Sequence, residues 1–164
     1  MKTLLILRHA KSDWSNSQLS DHDRPLNGRG QYDAPRMGAW LKQQKMVPEL
    51  IISSTAERAL TTAELVALAS EFEGELRSMK ELYLAGPPTY IEILNEVADS
   101  YERVMVVGHN PGMAELVSLL TDKDQPMTTA NVAVVDLPIS SWGELSLFSD
   151  GRLKHHWRPK DLPA

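Results

Sequence analysis

Thr3-Leu4-Leu5-Ile6-Leu7-Arg8-His9-Ala10-Lys11-Ser12 runs a short apolar segment straight into an arginine and a histidine. Four consecutive large aliphatic residues with no polar break read as a strand buried on both faces, the kind found inside parallel sheets. The run is too short for a signal peptide or a membrane span, which needs roughly 20 apolar residues. Arg8 and His9 then stand at the carboxyl end of a buried strand, which is where open parallel sheets place their ligands.

Working outward, strand-like runs recur at Glu49 to Ser53, Arg103 to Val107, Val132 to Leu137 and Glu144 to Phe148, with a weaker one at Glu75 to Met79. Helical spacing separates them. It shows in Met37, Trp40 and Leu41 within about Gly28 to Lys45, and in Leu60, Ala63 and Ala67. It recurs in Ile91, Leu94 and Val97, and in Met113, Leu116, Val117 and Leu120. Alternation of strand and helix predicts an α/β fold, a three-layer α/β/α sandwich with a mostly parallel sheet of roughly six strands. Asp150-Gly151 has the character of a hairpin turn and adds an antiparallel strand at one edge. Pro35 inside the first helix predicts a kink or a late start. The polar segment from Ser12 to Leu26 is expected to be an irregular loop over the crevice.

The chain has 164 residues, 42% of them hydrophobic, and no linker-like stretch or repeat divides it. A single domain over 1–164 is expected. A formal net charge of −5 gives no global attraction to nucleic acid or an anionic membrane, so a phosphorylated partner must meet a local basic pocket. The absence of cysteine excludes disulfides, thiolate metal ligands and cysteine nucleophiles, and fits a cytoplasmic setting.

Two further strand ends carry chemistry. Ile52-Ser53-Ser54-Thr55-Ala56-Glu57-Arg58-Ala59 closes a strand with small hydroxyl residues and opens a helix, which Ser54 or Thr55 can cap. Arg58 in the first turn opposes the helix dipole, and that placement favours an anionic partner beside the free amides. Val104-Met105-Val106-Val107-Gly108-His109-Asn110-Pro111 brings His109 to a strand end just before a helix that Pro111 starts near its first position. Together these segments predict two arginines and two histidines around one crevice. The guanidiniums of Arg8 and Arg58 can hold phosphate oxygens, His109 can donate to another, and His9 can attack phosphorus in line with the leaving group. Ser12 and Asn110, beside them, are further candidates for phosphate binding.

No cofactor or metal is called for. The five histidines lack zinc spacings, and His155 and His156 on a strand point to opposite faces. Asn27-Gly28-Arg29-Gly30 has neither the full nucleotide-loop pattern nor a buried strand before it.

The sequence resembles the histidine phosphatase superfamily, with its phosphoglycerate mutase-like fold, and most of all its short SixA-type phosphohistidine phosphatases. The resemblance is carried by Leu7 to Trp14, by Asp23-Arg24-Pro25-Leu26-Asn27-Gly28-Arg29-Gly30, by Ser53 to Ala59 and by Gly108-His109-Asn110-Pro111. It spans residues 3 to about 148. It implies that His9 is the phosphorylated nucleophile, that Arg8 and Arg58 clamp the phosphate, and that His109 completes the pocket. Ala10 and Lys11 stand where most relatives have glycine and often an acidic residue. For the general acid that mutases and many phosphatases use, Glu81 is the best-placed candidate.

The expected activity is therefore hydrolysis of phosphohistidine on a protein through a covalent intermediate on His9. The expected partner is a phosphorylated protein, a histidine-phosphotransfer domain being one candidate, and the enzyme itself a monomer. Competing readings are a phosphatase for small phosphate esters with the same mechanism and a non-catalytic phosphate-binding module. With 164 residues there is little chain to spare for a lid, which favours an open crevice and disfavours a mutase.

Overall fold

A computed structural model describes residues 1–163. Ten elements follow one another. β1 (Lys2–Arg8), α1 (Gly28–Gln43), β2 (Leu50–Ser54), α2 (Glu57–Ser70) and β3 (Glu75–Met79) come first. α3 (Pro87–Asn95), β4 (Arg103–Gly108), α4 (Gly112–Thr121), β5 (Val132–Leu137) and β6 (Arg152–Trp157) complete the chain. The strands form one sheet in the order β3-β2-β4-β1-β5-β6. β3, β2, β4 and β1 are parallel, β5 is antiparallel to β1, and β6 is antiparallel to β5.

Strand alternation explains the layers. Leu4, Ile6, Val104 and Val106 point to one face, where Tyr90, Leu94, Leu116 and Val117 of α3 and α4 cover them. Leu5, Leu7, Met105 and Val107 point to the other, under Met37, Leu41, Ala63 and Val66 of α1 and α2. Both faces of β1 and β4 are buried, which is why those strands read as unbroken apolar runs. No helix among the described residues is long and apolar enough to cross a membrane.

Several local expectations need correction. The sheet is antiparallel at one edge as expected, where β6 pairs with β5; β5 itself runs opposite to the rest and lies just inside that edge. No strand forms over 144–148. Trp142–Glu144 is instead a single 3-10 turn closed by a capping box between Ser141 and Glu144. The Asn95 side-chain amide also ties down the Trp142 and Leu145 carbonyls, so these groups cannot join a sheet ladder. Asp150-Gly151 closes no hairpin, because the Gly151 N–H donates to the Leu120 carbonyl at the end of α4.

Pro35 lies inside α1 without delaying its start: the helix begins at Gly28, where the Asn27 side chain accepts from the Gly30 N–H. α2 has Ala56, neither Ser54 nor Thr55, at its N-cap. Both hydroxyls are engaged elsewhere, Ser54 Oγ by the Ala56 N–H and by His109, and Thr55 Oγ1 by His22. Pro111 is the residue preceding α4, one position earlier than expected.

Candidate active site

Arg8 pairs in register with Gly108 across the parallel strands β1 and β4, so the next residue of each chain segment, His9 and His109, emerges at the same sheet end. Their rings lie 5.2 Å apart between centroids. The backbone at His9 is fixed from both sides: its N–H donates to the Gly108 carbonyl, and the Ala130 N–H bridges the Arg8 and His9 carbonyls. The Ala10 N–H donates to Thr62 Oγ1 of α2, whose own hydroxyl donates to the Arg58 carbonyl. α2 thereby sets Arg58 relative to His9 with hydrogen bonds as well as packing.

The result is a cleft of about 360 Å³ whose lining includes Arg8, His9, Ser12, Arg58, His109 and Asn110. Six of the seven site residues expected from the sequence are thus brought together. Glu81 is not. It is exposed on the 3-10 turn Lys80–Leu82 and takes no part in the lining. Two residues later, Tyr83 turns inward and donates its hydroxyl to Asp21. A larger hollow of about 690 Å³, lined among others by Pro87, Pro88, Leu119 and Leu147, holds no histidine or arginine.

A hydrogen bond fixes the tautomer of His9. His9 Nδ1 lies 2.7 Å from the Ala10 carbonyl, which can only accept. The ring hydrogen therefore sits on Nδ1, and Nε2 keeps its lone pair with no partner among the described residues. Burial first, then the charges of Arg58, Arg8 and Arg24, push the His9 pKa down to about 4, against the lift from the Ala10 bond. Burial, with His9 and Arg58, holds His109 at about 3. Both rings are neutral at neutral pH.

His109 Nε2 is 2.9 Å from Ser54 Oγ. That oxygen also accepts from the Ala56 N–H. The other ring nitrogen, His109 Nδ1, is buried and unpaired. Arg8 Nε and Arg58 Nε are also buried without partners. A buried donor left unpaired costs roughly 1–3 kcal/mol, and the two guanidiniums that carry these groups line the cleft, where their charge favours an anion.

The irregular loop supplies residues that the sequence reading did not single out. Asp21 accepts from Arg58 Nη2 at 3.0 Å and Arg24 Nε at 3.1 Å, and its carbonyl accepts from Arg58 Nη1 at 2.7 Å. The Tyr83 hydroxyl, followed by Arg58 and Arg24, holds the Asp21 carboxyl down at about 2. Arg24 is buried, donates to Ser12 Oγ at 2.9 Å and stacks on the Trp14 ring 3.3 Å from its centroid. Asn110 uses its amide to hold the Met127 carbonyl and its oxygen to accept from the Ala114 N–H, so it braces the pocket wall. Arg24 stood inside a quoted motif. For Asp21 and Tyr83 no sequence signal existed beyond membership of a polar loop and of a turn.

Comparison with known proteins gives this geometry its class. The model of the histidine phosphatase superfamily (branch 1) matches residues 4–83, the part that contains Arg8, His9 and Arg58. A chloroplastic protein of Arabidopsis thaliana, itself uncharacterised, is 30% identical over 152 residues, covering 87% of this chain and 70% of the relative. A Mycobacterium tuberculosis protein, also uncharacterised, is 36% identical over 114 residues, covering 70% and 69%. The chain belongs to the histidine phosphatase superfamily and is an enzyme of the phosphatase type.

Within that class, the structural likeness narrows further. The crystal structure of SixA from Agrobacterium tumefaciens, a protein provisionally designated a phosphohistidine phosphatase, superposes with a TM-score of 0.83 at 27% identity. It covers 96% of this chain and 98% of its own. The protein histidine phosphatase SixA complexed with tungstate shares the fold, with a TM-score of 0.78, 24% identity and coverage of 98% and 99%.

Proposed function

We propose that the protein hydrolyses phosphohistidine on a partner protein, taking the phosphoryl group onto His9 Nε2 and then releasing it to water. The observation that carries this reading is the convergence of Arg8, Arg58 and His109 on one cleft with His9, whose Nε2 keeps a free lone pair. The likeness to the Agrobacterium protein supports it.

In the first step the lone pair of His9 Nε2 attacks phosphorus while the bond from phosphorus to the substrate imidazole breaks, and its electron pair returns to that ring nitrogen, which takes a proton from solvent. Charge on the transferring group is met by the two guanidiniums, with the His109 ring beside them. In the second step water attacks the phosphorus on His9, the P–N bond breaks, and phosphate and a proton leave. No step requires a metal, since two arginines supply the positive field that an ion otherwise would.

The substrate class follows from what the cleft lacks. An alkoxide leaves only with a proton from a strong acid, whereas an imidazole leaves with far less help. Asp21, the carboxyl within reach of Arg58, is held ionised near neutral pH and has no proton to give. Glu81 lies outside the lining. A site with abundant cations and no protonated acid suits a phosphoramidate better than a sugar phosphate. The absence of cysteine is in keeping with work in a reducing compartment such as the cytoplasm.

Side-by-side turnover of a phosphohistidine protein, a phosphoserine peptide and common sugar phosphates tests the reading. The phosphohistidine protein should exceed the others by on the order of 10² or more in kcat/KM. Preference for a sugar phosphate would make the protein a small-ester phosphatase using the same residues.

A further inference from the structure

Beside the cleft lies a second hollow of about 180 Å³, lined by Lys11, Arg29, Arg158 and Lys160 with Asp33 and Thr129 among its other walls. Lys11 and Thr129 line the cleft as well, so the two hollows adjoin. Three separate parts of the chain contribute the cations: the segment after β1, the first turn of α1, and the end of the chain around the 3-10 turn Pro159–Asp161. The phosphoryl chemistry uses none of Arg29, Arg158 and Lys160.

We propose that this hollow docks acidic side chains of the phosphorylated partner protein next to its phosphohistidine. The inference rests on the reading that the phosphoryl group arrives on a protein. Seven of the 17 lysines and arginines line the two hollows, against two acidic residues, Asp21 and Asp33, in a chain of net charge −5. An acidic partner is repelled by the net charge of the molecule and attracted by this cluster, so the field orients it as well as captures it.

The local pairing leaves charge to spare. Lys11 and Lys160 are exposed and have no ion-pair partner among the described residues. Asp33 is shared between Arg29 at 3.4 Å and Arg36 at 3.6 Å, and Asp161 answers Arg158 alone. The hollow also differs in kind from the phosphoryl site. Arg58 there is buried and preorganised for one compact anion, whereas the cations here sit at the surface on long, solvated side chains. Such groups bind a single small anion weakly and suit several carboxylates presented on a folded surface.

The test uses the full chain and a histidine-phosphotransfer domain with an acidic face, phosphorylated on its histidine by phosphoramidate. Free phosphohistidine is the control substrate. Arg29→Gln combined with Lys160→Glu should lower kcat/KM for the domain on the order of tenfold at low ionic strength, mainly through KM. Free phosphohistidine should be turned over as in the wild type, and the salt dependence for the domain should flatten. Lys160→Glu alone, which breaks no ion pair, should give a smaller change of the same sign. Undiminished kcat/KM for the domain in both variants, or equal losses on both substrates, would overturn the docking surface while leaving the activity in place. A wild-type protein that hydrolyses free phosphohistidine but not the domain would instead overturn the protein-substrate reading, and the docking surface with it.

Discussion

At the scale of the residue, the site depends on which nitrogen of each histidine carries the hydrogen. The Ala10 carbonyl holds the His9 hydrogen on Nδ1 and leaves Nε2 for the substrate, while Ser54 Oγ engages His109 Nε2. Ser54→Ala should let the His109 hydrogen move, visible as altered ring nitrogen shifts by NMR, with turnover reduced and the fold intact. A His109 spectrum unchanged by that substitution would show that Ser54 does not set the ring. Arg58→Ala removes preorganised charge from the transferring phosphoryl group. It should cost on the order of 10² or more in turnover and weaken vanadate binding, read by parallel kinetics and titration. Wild-type kinetics in Arg58→Ala would mean that the start of α2 does not serve the cleft.

Elements place these residues by close approach. A Cβ at Gly108 would fall on the Tyr90 hydroxyl of α3, and the Tyr90 oxygen is itself buried and unpaired. Gly108→Ala should therefore destabilise by about 1–3 kcal/mol through overpacking. Adding Tyr90→Phe, which removes the oxygen, should restore much of that loss in a double-mutant cycle read by urea denaturation. Strictly additive effects would show that the two do not meet. The same elements show what was legible in the sequence. β1 and β4 stood out because they are buried on both faces, and Arg8, His9, Arg58 and His109 because each follows a strand end. The stretch 144–148 misled because Leu145 and Leu147 alternate like a strand, while its backbone is claimed by Asn95, roughly fifty residues away. Asp21 and Tyr83 were out of reach for the same reason: a contact across 62 residues leaves no periodic trace.

At the scale of the molecule, two buried neutral histidines tie stability to pH. Below its ordinary value of 6.5, an unfolded His9 takes up a proton that the folded one, at about 4, refuses. The unfolded state then binds more protons, so stability is full above pH 6.5 and falls as the pH drops toward 4, by about 3 kcal/mol for His9 alone. His9→Asn should show a shallower loss between pH 6.5 and 4.5 in denaturant titrations, and equal slopes would contradict the burial of a neutral ring. Turnover should be unchanged by EDTA, and loss restored by one divalent ion would overturn the metal-free mechanism. The most direct measurement is rapid quenching during turnover of a ³²P-labelled phosphohistidine protein, followed by peptide mapping of the enzyme. The account predicts an acid-labile, alkali-stable label on the peptide containing His9, with both label and turnover lost in His9→Ala. Label on any other residue, or turnover that survives in His9→Ala, would contradict it.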